Sequence, residues 1–252
     1  IRCLSSINLF SWRKAANKII DLEPDLVLFS FWLAFFAPAF SGVAKKIKKY
    51  LDAKIMAICH NIIPHEEHLL DTRLTKRFFG FIDSFIVLSK KVENELLNIV
   101  PGAKYKYSPH PVYNIFKNTL SKEQAKAELN IATKKVLLFF GLIRKYKGLD
   151  ILINAMEKIN TELDDYTLLI VGECYENKAK YTDLIKNAGI TDNVQCHYSF
   201  VPDNEVGKYF SASDVVVLPY KTASQSGIVQ IAYHFDTPVI VSNVGGLPEI
   251  VD

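Results

Sequence analysis

The chain has 252 residues, 49% hydrophobic and 23% charged, which is enough to bury a real core and excludes a disordered segment. With 30 basic and 27 acidic side chains its formal charge is +3, too slight an excess for a nucleic-acid binder but suited to an anionic ligand. The four cysteines (Cys3, Cys59, Cys174, Cys196) lack metal-type spacing and read as buried, reduced thiols of a cytoplasmic protein.

In chain order, the longest apolar run covers residues 26–40, broken only by Ser30 and carrying Pro38. It is too short to span a membrane and reads as a strand at 26–30 entering a loop and a helix. Further strands are expected at 53–60, 84–89, 104–108, 135–141, 167–172, 194–198, 214–219 and 238–242. Several are nearly continuous in Val, Ile, Leu and Phe, as strands of a parallel sheet are when helices cover both faces. Helix-period segments lie between them at 42–50, 90–98, 149–158, 178–188, 204–212 and 227–235. This alternation predicts a doubly wound α/β protein. A break spans 111–133, where Ser121 and Gln124 stand in capping-box spacing before a short polar helix. It divides the chain into two α/β units, 1–115 and 116–252.

Candidate chemistry sits at strand ends. His60 closes the strand at 53–60 and, taken alone, reads as a histidine satisfied there. His65 and His68, with Glu66 and Glu67, make a weak metal pattern. The basic stretch at 44–50, helped by Arg73, Lys76 and Arg77, reads as a solvated helix face, with docking to an anionic membrane as the sharper alternative. At 140–148 a strand ends in Gly141, a basic loop carries Arg144, Lys145 and Lys147, and a helix begins near Lys147. Glycine admits close approach and a helix start attracts anions, so Arg144 and Lys147 would form a phosphate clamp; a basic surface loop around a glycine turn explains the spacing equally well. At 220–227 hydroxyl residues and Gly227 lie between a strand end and a helix start, where open α/β sheets bind ligands; Ser226 is the expected N-cap. A third segment, 237–249, joins a buried strand through Gly245 and Gly246 to a new helix start. No Gly-x-Gly-x-x-Gly follows any strand, which argues against a dinucleotide dehydrogenase.

Together these segments resemble the donor half of the retaining glycosyltransferases of family 4, with the GT-B fold. The stretches that carry the resemblance are "GLIRKYKGLDILINAM", "LLIVGE", "YSFVPDNEVGKYFSASDVVVLPY" and "SQSGIVQIAYHFDTPVIVSNVGGLPEIV". The resemblance implies an α/β protein of two Rossmann-like, doubly wound parallel-sheet domains facing a cleft. It implies transfer of a sugar from a nucleoside-diphosphate donor to a hydroxyl acceptor with retention. By the same resemblance Arg144 and Lys147, after Gly141, hold the diphosphate, and the Phe200-Val201 backbone lies near the nucleobase. Ser226 and Gly227 lie by the phosphates and the transferred sugar. The family often carries two glutamates eight positions apart, facing donor sugar and ribose; here those places fall on Thr222 and Gln230, and Gln230 can bond hydroxyls without charge. In the front half, "AICHNIIPH" resembles the strand whose histidine touches the donor sugar, which assigns that contact to His60. The resemblance implies no cofactor and no metal. The implied partners are the nucleotide-sugar donor and a hydroxyl acceptor, lipid-linked in many relatives, with peripheral contact at the cytoplasmic face of the inner membrane and no nucleic acid. The glycine-rich loop expected early in the front domain is missing, and the expectation is a chain truncated at both ends. Two other readings stay open: a non-catalytic GT-B subunit, favoured by Thr222 and Gln230, and a non-hydrolysing nucleotide-sugar epimerase.

Overall fold

Apolar runs that sequence alone marks as doubly covered do become parallel strands. The computed structural model describes residues 4–63, 71–113, 115–116 and 120–251. The chain first runs through α1 (Leu9–Asp21), β1 (Leu26–Phe31), a 3-10 turn at Ala34–Phe36, α2 (Ala37–Tyr50) and β2 (Lys54–Cys59). It continues through α3 (Asp71–Phe79), β3 (Ser84–Val87), α4 (Lys90–Ile99) and β4 (Tyr105–Tyr107). After the break come α5 (Lys122–Glu128), β5 (Lys135–Phe140), α6 (Leu149–Ile159), β6 (Tyr166–Val171) and α7 (Lys178–Asn187). The last elements are β7 (Val194–His197), α8 (Asp203–Ala212), β8 (Val215–Leu218), α9 (Gly227–His234) and β9 (Val239–Val241).

Each expected strand is present. The capping box also forms: Ser121 Oγ accepts from Gln124 N–H at 3.2 Å and Gln124 Oε1 accepts from Ser121 N–H at 3.1 Å. Helix α2 starts at Ala37 rather than at Gly42, because Pro38 falls in its first turn, where no N–H is needed. Helices α1 and α3 were not among those expected. Asn8 caps α1, which turns Trp12, Ala15, Ala16 and Ile19 toward the core at helical spacing while Leu9 and Phe10 stay exposed. Helix α3 is short and basic, and turns Thr75, Phe78 and Phe79 inward.

Two separate all-parallel sheets result, with orders β1-β2-β3-β4 and β7-β6-β5-β8-β9. The chain divides into two compact units, Ile1–His110 and Pro111–Asp252. Phenylalanine rings fill the first core: Phe31 contacts Phe78 and Phe79, and Phe79 contacts Phe85, at centroid distances of 5.0–5.5 Å. In the second unit a hydrophobic cluster packs on each face of the sheet, which is why every residue of β6 is buried. From central β5 the chain steps out to β6 and β7, then crosses to β8 and β9. Strand order therefore reverses between β5 and β8, the topological switch point of this sheet. Strand β5 pairs with β6 along 135–140 but with β8 at Leu137 and Leu138 alone, and β8 pairs with β9 through Leu218, so the carboxyl ends of β5 and β8 are not paired with each other.

The expectation of buried thiols holds for Cys59, whose thiol burial pushes up to about 12, making it inert; Cys174 is half-buried and Cys196 exposed. Cys3, His65, Glu66, Glu67 and His68 lie outside the described residues. The run at 26–40 is shared between β1, the 3-10 turn and α2, and no helix among the described residues is long and apolar enough to cross a membrane.

Candidate functional site

Two glycines shape the switch point. Gly172 ends β6 at φ 136°, and a Cβ there would lie 2.1 Å from the Gly141 carbonyl oxygen, so glycine lets the ends of β5 and β6 meet. Beyond Gly141 the chain passes Arg144 and a 3-10 turn at Lys145–Lys147 to Gly148, which precedes α6 at φ 70°. The helix thus begins at Leu149, just past the basic loop rather than at Lys147. A Cβ on Gly148 would stand 1.9 Å from the Pro219 carbonyl oxygen, so this glycine lays the basic loop against the end of β8. Lys221 holds the same two segments together: its N–H donates to Tyr146 O at 2.8 Å and its ammonium meets Asp150 at 2.6 Å.

A cavity of about 420 Å³ opens at the carboxyl ends of β5, β6 and β8. Of the residues singled out from sequence, Gly141, Lys147, Phe200, Val201, Ser226 and Gly227 line it. Tyr113, Tyr146, Glu173 and Gln225 line it as well and were not foreseen. Arg144, Thr222 and Gln230 do not. Arg144 is exposed, its guanidinium 4.5 Å from the ring centroid of Tyr175, whose hydroxyl donates to Glu173 at 2.9 Å. Gln230 is buried within α9, and Thr222 is half-buried before it. A larger groove of about 620 Å³ in the first unit is lined, among the described residues, almost wholly by apolar side chains, with Lys18 the one charged residue among them, so polar chemistry points to the smaller cavity.

Inside that cavity the Lys147 ammonium donates to the Tyr220 hydroxyl and sits 4.0 Å from the Tyr220 ring centroid. The Tyr220 hydroxyl lies 3.1 Å from Ser226 Oγ, which accepts from Ile228 N–H at 3.3 Å and caps α9 as expected. Since the Tyr220 oxygen accepts from Lys147, its own proton is directed to Ser226. Burial pushes the Tyr220 phenol up, so it stays protonated. Among the described residues no carboxylate lies within ion-pair distance of Lys147. Burial of the ammonium pulls the Lys147 pKa down to about 8, although part of the residue reaches solvent. The first turn of α9 carries no acidic residue to offset its N–H groups. A cation with no carboxylate neighbour among the described residues, beside a helix start that carries no acidic residue, is an arrangement suited to an anion.

His60 belongs to the first unit. It directly follows β2, with its backbone N–H donating to Phe31 O at 2.9 Å. Its Nε2 lies 2.9 Å from Ser30 Oγ, and the Trp32 indole N–H donates to that oxygen, also at 2.9 Å. The rings of Trp32 and His110 stand 5.7 and 6.4 Å away. Burial first, and the charge of His110 second, hold the His60 pKa below the ordinary value, so the imidazole is neutral at pH 7. Neither Ser30 nor Trp32 was signalled by the sequence.

Residues 121–252 match the family described as "Glycosyl transferases group 1". D-inositol 3-phosphate glycosyltransferase of Segniliparus rotundus is 32% identical over 134 residues, which is 52% of this chain and 30% of that protein. The solved structure of Anabaena HepE in complex with UDP is similar at TM-score 0.77 and 17% identity, covering 96% of this chain and 65% of that one. Sucrose-phosphate synthase from Thermosynechococcus elongatus is similar at TM-score 0.73 and 18% identity, covering 94% and 62%. The chain therefore spans less than two thirds of the length of each of these proteins. The family match takes in every element from α5 to β9, the sheets are those of the solved glycosyltransferases, and the chain accordingly belongs to the glycosyl transferases group 1 family and has the GT-B fold.

Proposed function

We propose that this chain binds a nucleoside-diphosphate sugar in the cavity of its second unit and serves in transfer of that sugar to a hydroxyl acceptor, with retention at the anomeric carbon. The observation that carries this reading is the Lys147 ammonium, which lacks a carboxylate partner among the described residues and stands at the start of α9. Negative charge grows on the diphosphate as its bond to the sugar breaks, and a fixed cation and helix start that meet this charge lower the barrier. Arg144, on the same loop, is the second cation available to the phosphates. Gly141 admits close backbone approach, Phe200 and Val201 meet the nucleobase, and Ser226 and Gly227 bond phosphate and sugar. Thr222 and Gln230 are assigned to the sugar and ribose hydroxyls, and His60 to the donor sugar near the reacting carbon. The leaving phosphate itself takes the acceptor proton, and neither cofactor nor metal takes part. The finer reading makes the acceptor lipid-linked and the protein cytoplasmic, with the exposed Lys45, Lys48 and Lys49 of α2 meeting the anionic inner membrane face.

The test is a binding screen against UDP-, GDP- and ADP-sugars, UDP first because HepE was solved with it. A charged hydrogen bond to phosphate contributes about 1.5–3 kcal/mol, so Lys147→Ala should weaken binding roughly ten- to a hundredfold. The control is Lys45→Ala, on an exposed face of α2. Equal affinity of the two variants would place the donor elsewhere. A second reading, a subunit that binds donor without turning it over, is favoured by the absence of carboxylates at Thr222 and Gln230 and by the burial of Gln230. Tight donor binding without hydrolysis or transfer would select it.

A further inference from the structure

We propose that Tyr220 is a positioning residue: its hydroxyl ties the Lys147 ammonium to the Ser226 cap of α9 and favours the charged form, and the arriving diphosphate completes the protonation of Lys147 from solvent. This inference rests on the donor-site reading above. Tyr220 directly follows Pro219 at the end of β8, with its ring packed in the core of the second unit at 2% exposure. One neutral oxygen and one ring face are what Tyr220 offers the ammonium. Among the described residues no carboxylate lies within ion-pair distance of it. The Tyr146 ring of the same turn is 5.6 Å away. Tyr113 and Glu173 line the cavity, and Glu173 accepts from Tyr175. Asp150 is turned to Lys221 at 2.6 Å. The charged form of Lys147 therefore has little support until an anion enters, and its pKa of about 8 places a share of molecules in the amine form at mildly alkaline pH.

Calorimetry of wild type and Tyr220→Phe tests this, using whichever of UDP, GDP and ADP binds most tightly. Wild-type affinity should be about tenfold weaker at pH 9 than at pH 7, because the protonated fraction of a group titrating near 8 falls tenfold over that interval. Heats at pH 8 should depend on the ionisation enthalpy of the buffer, and Lys147→Ala should remove both effects. Tyr220→Phe keeps the ring but deprives the ammonium of its acceptor. The midpoint should then move below 8, with the loss already visible at pH 7 and near-wild-type affinity at pH 6. An NMR titration of 13C-methylated lysines on the ligand-free wild type reads the Lys147 midpoint without any variant. A pH-independent affinity, a buffer-independent heat, or an equal weakening of Tyr220→Phe at every pH overturns the proposal while leaving the donor site standing. No binding at any pH overturns the donor site, and this inference with it.

Discussion

Gly148→Ala should destabilise the second unit well beyond what its backbone angle alone would cost. Gly148 has φ 70° and ψ 27°, left-handed values that cost a residue with a side chain roughly 1–2 kcal/mol. In addition its Cβ would stand 1.9 Å from the Pro219 carbonyl oxygen and 2.9 Å from the Pro219 carbonyl carbon. Both are backbone atoms at the end of β8, so no side chain can swing aside; the basic loop must lift away from the strand. Relief of such overpacking costs about 1–3 kcal/mol more, giving about 2–5 kcal/mol in all. Gly189 supplies the control. It has φ 66°, and a Cβ there would meet nothing within 4 Å, so Gly189→Ala isolates the backbone cost. Urea unfolding of both variants, followed by far-ultraviolet circular dichroism, gives the difference directly. Because Lys147 adjoins Gly148, the first variant should also lose nucleotide binding while the second keeps it. Equal destabilisation by the two substitutions would refute the close approach of the loop to β8.

Lys147→Met should raise stability at pH 7 by about 1–3 kcal/mol while weakening nucleotide binding roughly ten- to a hundredfold, which paired urea and binding titrations would show. The sign follows from the folded pKa of about 8 against an ordinary value of 10.5: wild-type stability is fully present above pH 10.5 and is lost as pH falls through 8, and the variant lacks this dependence. Ser226→Ala should cost about 1 kcal/mol through the lost cap of α9, seen as a lower urea midpoint with an unchanged slope. Ser30→Ala should raise the His60 pKa, read by 15N NMR. Trp32 already donates to Ser30 Oγ, which directs the hydroxyl proton to His60 Nε2 and favours neutral imidazole. In wild type that depressed pKa makes His60 stabilising above pH 6.5, with the contribution lost as pH falls below it.

Strands were legible because burial on two faces leaves a mark in composition, and β6 (Tyr166–Val171), buried throughout, is the clearest instance. Helix α1 left a weaker mark: Trp12, Ala15, Ala16 and Ile19 share its inner face, but two of the four are alanines, and Leu9 and Phe10 stay in solvent and blur the stripe. At the candidate site, local grammar gave Gly141, Lys147, Ser226 and Gly227, each set by a strand end or a cap. It could not tell Arg144 from Lys147, three positions apart in one basic loop. Arg144 still has extended backbone, φ −135° and ψ 157°, while Lys147 already sits in the 3-10 turn, so the two side chains part: one onto Tyr175, the other into the cavity. Tyr220 was in view as the first residue of its loop, but its importance comes from a partner 73 positions away. That partnership exists because strand order reverses between β5 and β8, bringing the loops after both strands to one crevice. Sequence periodicity reports which faces are buried; it carries no information on which strand ends become neighbours. The residues that tune Lys147 and His60 are therefore the ones that topology, and not local pattern, supplies.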